Sequence, residues 1–172
     1  MNKQFFKKYS SALFYGALAL FVLYFHGPRL YHNFKNEDQL ISVIQYEHLQ
    51  NAAQTLSFPS EVNNTIVLFW ASWCAPCKLE MNRLKNSVES KKIKADKIFA
   101  LNPFEDKETE LNFIQKEKYP FTFIRDEKNT LANHLNIQQT PTVVYFEKTL
   151  IKKISSGISL IGVFQAESFL SP

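Results

Sequence analysis

The sequence predicts an α/β fold: a central mixed β-sheet flanked by helices and preceded by an N-terminal transmembrane helix. Three observations predict it. Short β-rich apolar runs, Ile66 to Trp70, Lys97 to Leu101 and Thr142 to Phe146, alternate with helical stretches. The last of these runs is followed by an antiparallel neighbour, Leu150 to Ile154, and a closing helix, Ile161 to Leu170. An uncharged stretch from Tyr9 to Phe25 stands apart from the rest.

The N-terminal stretch is at the short end of the roughly 17–25 residues that span a bilayer. Tyr9, Tyr15, Tyr24 and Phe25 are placed for its interfaces. A cleaved signal peptide is the rival reading, because Ala17-Leu18-Ala19 resembles a small-x-small cleavage site. The apolar run continues past it, however, through Leu20-Phe21-Val22-Leu23-Tyr24-Phe25, which favours an uncleaved anchor. Lys3, Lys7 and Lys8 precede the span, whereas Arg29 and Lys35 follow it beside Glu37 and Asp38. That bias puts the N-terminus in the cytoplasm and the rest outside the cell membrane, where a disulfide persists. The expected organisation is an anchor over 1–26, a linker and helical spacer over 27–60, and a catalytic domain over 61–172.

Gly27-Pro28 is expected to end the span, with a polar linker to Asn36. Asp38 is a candidate cap for a helix from Gln39 to Gln54, with Leu40, Ile41, Ile44, His48, Leu49 and Ala52 near one face. Ser57-Phe58-Pro59-Ser60 marks a turn. Ile66 to Trp70 is the first central strand, and the helix after it runs to about Glu89. Asn102-Pro103 ends the next strand, and Glu105 to Lys118 reads as helix. Phe121 to Ile124 is a short edge-strand candidate, and Asn129 or Thr130 opens a helix through Leu135.

The chemistry is concentrated in Trp70-Ala71-Ser72-Trp73-Cys74-Ala75-Pro76-Cys77-Lys78, which holds both cysteines of the chain. The strand ends and a helix begins there, and Pro76 suits a first helical turn, where a missing N–H costs nothing. The free N–H groups and positive end of a helix favour an anion. Cys74 is therefore expected to have a lowered pKa and to attack, with Cys77, one turn in and less exposed, resolving the mixed disulfide. Other readings of Cys-x-x-Cys fare worse. Zinc needs more ligands, and His26, His32, His48 and His134 are scattered. Lys78 stands where haem attachment needs histidine. No metal and no cofactor are called for.

Phe69-Trp70-Ala71-Ser72-Trp73-Cys74-Ala75-Pro76-Cys77-Lys78, with Glu80 three residues beyond the second cysteine, resembles the active site of the thioredoxin superfamily. Within it the motif is similar to the membrane-anchored, extracytoplasmic TlpA/ResA/CcmG-type thiol-disulfide oxidoreductases, over about Thr65 to Leu170. The resemblance implies a thioredoxin-like sandwich that opens on a β-hairpin, which the sequence before Thr65 does not display. It implies that Pro141, in Ile137-Gln138-Gln139-Thr140-Pro141-Thr142, is cis and faces the dithiol. The Thr140 backbone would then offer hydrogen bonds to an extended client. Thioredoxin carries a buried acid on its central strand, where this chain has Leu68; the TlpA/ResA type carries one at the place of Glu80. A carboxylate there can take the proton that Cys77 loses, and it disfavours a nearby thiolate. The rival reading of Glu80 is a solvated helix carboxylate. Trp73 is expected to shield the sulfurs and touch partners, and Trp70 to lie in the core. Two departures from the family are Asn82, where proline is common, and the glycine-free turn Glu147-Lys148-Thr149-Leu150.

Composition narrows the partners. The net charge of +4 is spread among interspersed acids, which speaks for a solvated surface and against a nucleic-acid footprint. Lys91-Lys92-Ile93-Lys94 is short and followed by Asp96, as in an exposed loop. The expected clients are protein disulfides, apocytochrome c among them by resemblance, with a membrane thiol-disulfide carrier of the CcdA/DsbD kind as electron donor. A disulfide-forming oxidant and a Cu(I) carrier are the alternatives. Soft thiolates suit Cu(I), but Met81 is the only methionine beyond the start.

Overall fold

The structure is a computed structural model that describes residues 3–171, and the side chains of residues 12–25, 27, 28, 31, 35–51 and 53–171 within them. By contacts the chain divides into two compact units, one ending at Lys35 and one running from Asn36.

The first unit is helix α1, Lys3–Asn36. It runs through Pro28, so the expected break and linker after Gly27 are not there. An interior proline forfeits one hydrogen bond and costs roughly 3 kcal/mol. Leu13, Phe14, Tyr15, Leu18 and Leu20 to Phe25 are exposed along it. Among the described residues, no helix is long and apolar enough to cross a membrane. The flanking side chains Lys3, Lys7, Lys8 and Arg29, the interfacial Tyr9, and Ala52 further on lie outside the described ones.

The second unit is built on a seven-stranded mixed sheet. Its strands are β1 (Ile44–His48), β2 (Asn51–Phe58), β3 (Asn64–Phe69), β4 (Ile98–Leu101), β5 (Thr122–Arg125), β6 (Thr142–Glu147) and β7 (Leu150–Ser156), in the order β2-β1-β5-β4-β3-β6-β7. The helices are α2 (Ala75–Glu89), α3 (Lys107–Glu117), α4 (Thr130–His134) and α5 (Gly162–Leu170). β3 pairs in parallel with β4 and antiparallel with β6. Its residues alternate between two cores. Ile66, Leu68 and Trp70 pack with Met81, Leu84, Phe113 and Ala166 on one face; Val67 and Phe69 pack with Phe58, Leu131 and Leu135 on the other. A strand covered on both faces is apolar throughout, as this one is.

The helix expected over Gln39 to Gln54 is instead the β1–β2 hairpin, and residues 37–60 belong to the sheet domain rather than to a spacer. The reason lies outside the segment. Without β1, β5 would have an open edge; Glu47 and His48 pair with Arg125 and Ile124 along it. β5 is therefore an interior strand, not the edge expected. Upstream, Asp38 N–H donates to the Ile151 carbonyl (2.7 Å) and Ile41 N–H to that of Thr149 (2.9 Å), so this stretch covers the outer side of β7. Asp38 has φ 60°, and no helix opens after it, since the next element is β1. Unpaired strand edges are a liability, and pairing them outweighs a weak helical periodicity. At the glycine-free turn, Lys148 takes the left-handed conformation (φ 57°).

Candidate active site

The two cysteines sit at the C-terminal end of β3, where the chain turns into α2. Trp70 N–H still bonds the Leu101 carbonyl (3.1 Å), which carries the chain one residue past the strand. Cys74 is the N-cap of α2, and its Sγ accepts the Cys77 N–H at 3.1 Å. One free donor of the helix terminus is thus aimed at the first cysteine's sulfur, an arrangement that favours a thiolate when the pair is reduced. Pro76 lies in the first turn. Cys74 and Cys77 are joined as a disulfide with Cα atoms 5.2 Å apart. Cys77 is wholly buried, Cys74 is 3% exposed, and the neighbouring Trp73 is 69% exposed. Trp70 is buried against Phe113 and Phe123, as expected.

Glu80 shares the buried face of α2 with Cys77, Met81, Leu84 and Ser87. It is not a solvated carboxylate. Burial pushes its carboxyl above the usual carboxylate range, and Arg83 partly offsets this. Arg83 Nη1 lies 3.6 Å from Glu80 Oε2 and donates to the Ser159 carbonyl (3.2 Å). A Cβ on Gly162 would lie 2.7 Å from Glu80 Oε1, so the first residue of α5 leaves the room that this carboxylate fills. Tyr145 on β6 faces the same group. Burial first and the Glu80 charge second push its phenol up to about 12.

The Thr140–Pro141 peptide bond is cis. Antiparallel pairing sets Thr142 opposite Phe69, so Thr140 and Pro141 lie just beyond that pair, at the same sheet end as the Trp70–Cys74 turn. Pro141 carbonyl accepts from Gly157 N–H (2.7 Å), and Thr140 Oγ1 is buried without a partner. The fold therefore brings Trp73, Cys74, Cys77, Thr140 and Pro141 to one end of the sheet, with Glu80 on the same helix face as the second cysteine.

Residues 42–154 match the AhpC/TSA family. The chain belongs to that family. Among relatives, sporulation thiol-disulfide oxidoreductase A of Bacillus subtilis is 29% identical over 108 residues, 60% of this chain and 66% of that one. Thiol-disulfide oxidoreductase ResA of Geobacillus kaustophilus is 28% identical over 90 residues, 52% of each chain. The match thus spans about half to two thirds of these relatives' length. StoA from Bacillus subtilis superposes with a TM-score of 0.63 at 24% identity, covering 74% of this chain and 96% of that one. The pneumococcal exposed lipoprotein thioredoxin Etrx1 gives 0.60 at 14%, covering 74% and 98%. The domain has the thioredoxin-like fold that the motif resemblance implied, and these relatives are named thiol-disulfide oxidoreductases.

Sequence reasoning missed one group of this AhpC/TSA-family site. Glu105 was expected inside a helix, but α3 begins at Lys107 behind an Asp106 cap, which leaves Glu105 in the loop after β4. Its carboxylate accepts from Ser72 N–H (2.6 Å), from the Ser72 hydroxyl, and from Asn102 Nδ2 (2.5 Å). It ties the turn before Cys74 to the neighbouring strand. The available signal was its place: loops after the C-terminal ends of parallel strands converge on the site of an α/β sheet.

Proposed function

We propose that this chain is a membrane-tethered, extracytoplasmic thiol-disulfide oxidoreductase that reduces disulfides in partner proteins. The observation that carries the chemistry is Cys74 Sγ capping α2 and receiving the Cys77 N–H, beside an exposed tryptophan. In the reduced chain, the Cys74 thiolate attacks a client S–S bond. A mixed disulfide forms and one client thiolate leaves. Cys77 passes its proton to Glu80 and attacks Cys74 Sγ. The second client sulfur leaves as a thiolate and takes up the proton from Glu80, and the chain holds the Cys74–Cys77 bond. Two electrons have moved to the client, and a membrane thiol-disulfide carrier of the CcdA/DsbD kind would return them.

Thr140 and Pro141 border the client's extended backbone in this reading, and apocytochrome c is one candidate client. The tether is supported by the uncharged run from Tyr9 to Phe25 and by the exposed side chains along it. Direction rests on redox poise, since about 30 mV shifts a two-electron couple by ~1.4 kcal/mol. The test is insulin reduction by the reduced chain, with its midpoint measured in glutathione buffers. Turnover with a midpoint below about −200 mV is expected. A midpoint near about −120 mV would assign the oxidant role instead, and no exchange at all would reject the reading.

A further inference from the structure

The loop between β4 and α3 is held at each of its residues. Asn102 is buried; its Nδ2 reaches Glu105, and its Oδ1 accepts the Phe104 N–H at 2.9 Å. The Pro103 carbonyl accepts from Asn129 Nδ2 (3.1 Å), and Glu105 binds Ser72 through two donors. What the loop presents outward is one aromatic ring. Phe104 is 46% exposed, and its ring lies 6.4 Å from that of Trp73 at 53°. Two large apolar rings are thus kept in water, side by side, next to the attacking cysteine.

Proximity decides what must meet them. In a mixed disulfide the client sulfur is bonded to Cys74 Sγ at about 2 Å. An extended client advances about 3.3–3.6 Å per residue, so residues flanking its cysteine pass within a few ångströms of Trp73, the residue before Cys74. A partner that covers the rings removes them from water and gains an offset or edge-to-face contact, the geometry aromatic pairs prefer.

We propose that Trp73 and Phe104 form a two-ring clamp for an apolar side chain, preferably aromatic, next to the client's cysteine, and that Phe104 is a specificity-determining residue. This rests on the reading that Cys74 attacks client disulfides. Asn102 holds the Phe104 backbone N–H, so the loop that carries the ring is already ordered and little is lost to ordering it.

The test uses the reduced 172-residue chain and two disulfide-linked peptide dimers, identical except for phenylalanine or serine beside the cysteine. In a single turnover each dimer becomes two thiols as the chain becomes the Cys74–Cys77 disulfide, and quenched samples are counted by chromatography. The reduced chain should react about tenfold faster with the phenylalanine peptide, by analogy with measured aromatic contacts. Phe104→Ser should shrink that ratio to about twofold, and Phe104→Leu should keep about half of the preference. A ratio unmoved by Phe104→Ser, whether both rates fall together or neither does, would overturn the clamp. Inertness toward both peptides and toward glutathione disulfide would sink the parent reading and the clamp with it.

Discussion

Two glutamates are buried in helices of this domain, and they are held differently. Glu110 on α3 has a side chain that is 1% exposed, and it accepts a short bond from Arg125 Nη1 on β5. Arg125 is itself only 17% exposed. Glu80 on α2 has Arg83 at 3.6 Å, and that arginine is 30% exposed and shared with the Ser159 carbonyl. Burial raises both carboxyls, that of Glu110 to about 8 despite the guanidinium against it. One acid is locked between helix and sheet. The other is loosely paired, on the face of the helix that carries Cys77. Equal burial therefore does not mean equal purpose: tight pairing suits a fixed structural contact, and loose pairing suits a proton that must come and go.

The comparison can be broken by removing each acid in turn. Glu110→Ala leaves the Arg125 guanidinium buried without its acceptor, and should cost about 3 kcal/mol in urea unfolding, while the folded fraction resolves mixed disulfides at the parent rate. Equal loss of resolution would erase the distinction. Glu80→Gln should do the reverse and slow the Cys77 step about a hundredfold, the usual scale for a lost general base. Its effect on stability follows in sign. A folded carboxyl with a raised pKa favours the native state below its unfolded value, and that support is lost as pH rises through the folded value. At neutral pH the glutamine variant should be at least as stable as the parent.

The smallest effect sharpens the contrast most. As a base, Glu80 must be ionised, so resolution should slow as pH falls through its carboxyl, above the ordinary carboxylate range. Tyr145, Arg83 and the α5 N-terminus at Gly162 face it. Arg83 lowers the Glu80 pKa, so Arg83→Gln should move this acid limb to higher pH and Arg83→Lys should return it part-way. Stopped-flow profiles of the mixed disulfide would show it; a profile indifferent to Arg83 would detach the pair from the chemistry.

Much of the domain was readable in the chain. β3, β4, β6, β7, α2 and α5 lie within a residue or two of where apolar runs and helix signals put them, because each is buried on faces that its own pattern declares. The cysteine turn was readable for the same reason, since proline and the strand-to-helix junction act over neighbouring residues. The hairpin was not. Leu40, Ile41, Ile44 and Leu49 fit a helical stripe, and the competing alternation of Ile44, Tyr46 and His48 is short. The edge of β5 that selects the strand lies some eighty residues further on.

By itself the sequence determined where the dithiol and its nearest acid lie: two cysteines at a helix start, with Glu80 one turn on, set by short-range spacing. Only the tertiary structure decided which groups surround them. Glu105 reaches Ser72, Gly162 leaves room for Glu80, and Phe104 lies beside Trp73 because strands distant in the chain end at one place in the sheet. Spacing is a property of the chain, whereas convergence is a property of the packing, and a one-dimensional pattern carries the first without the second.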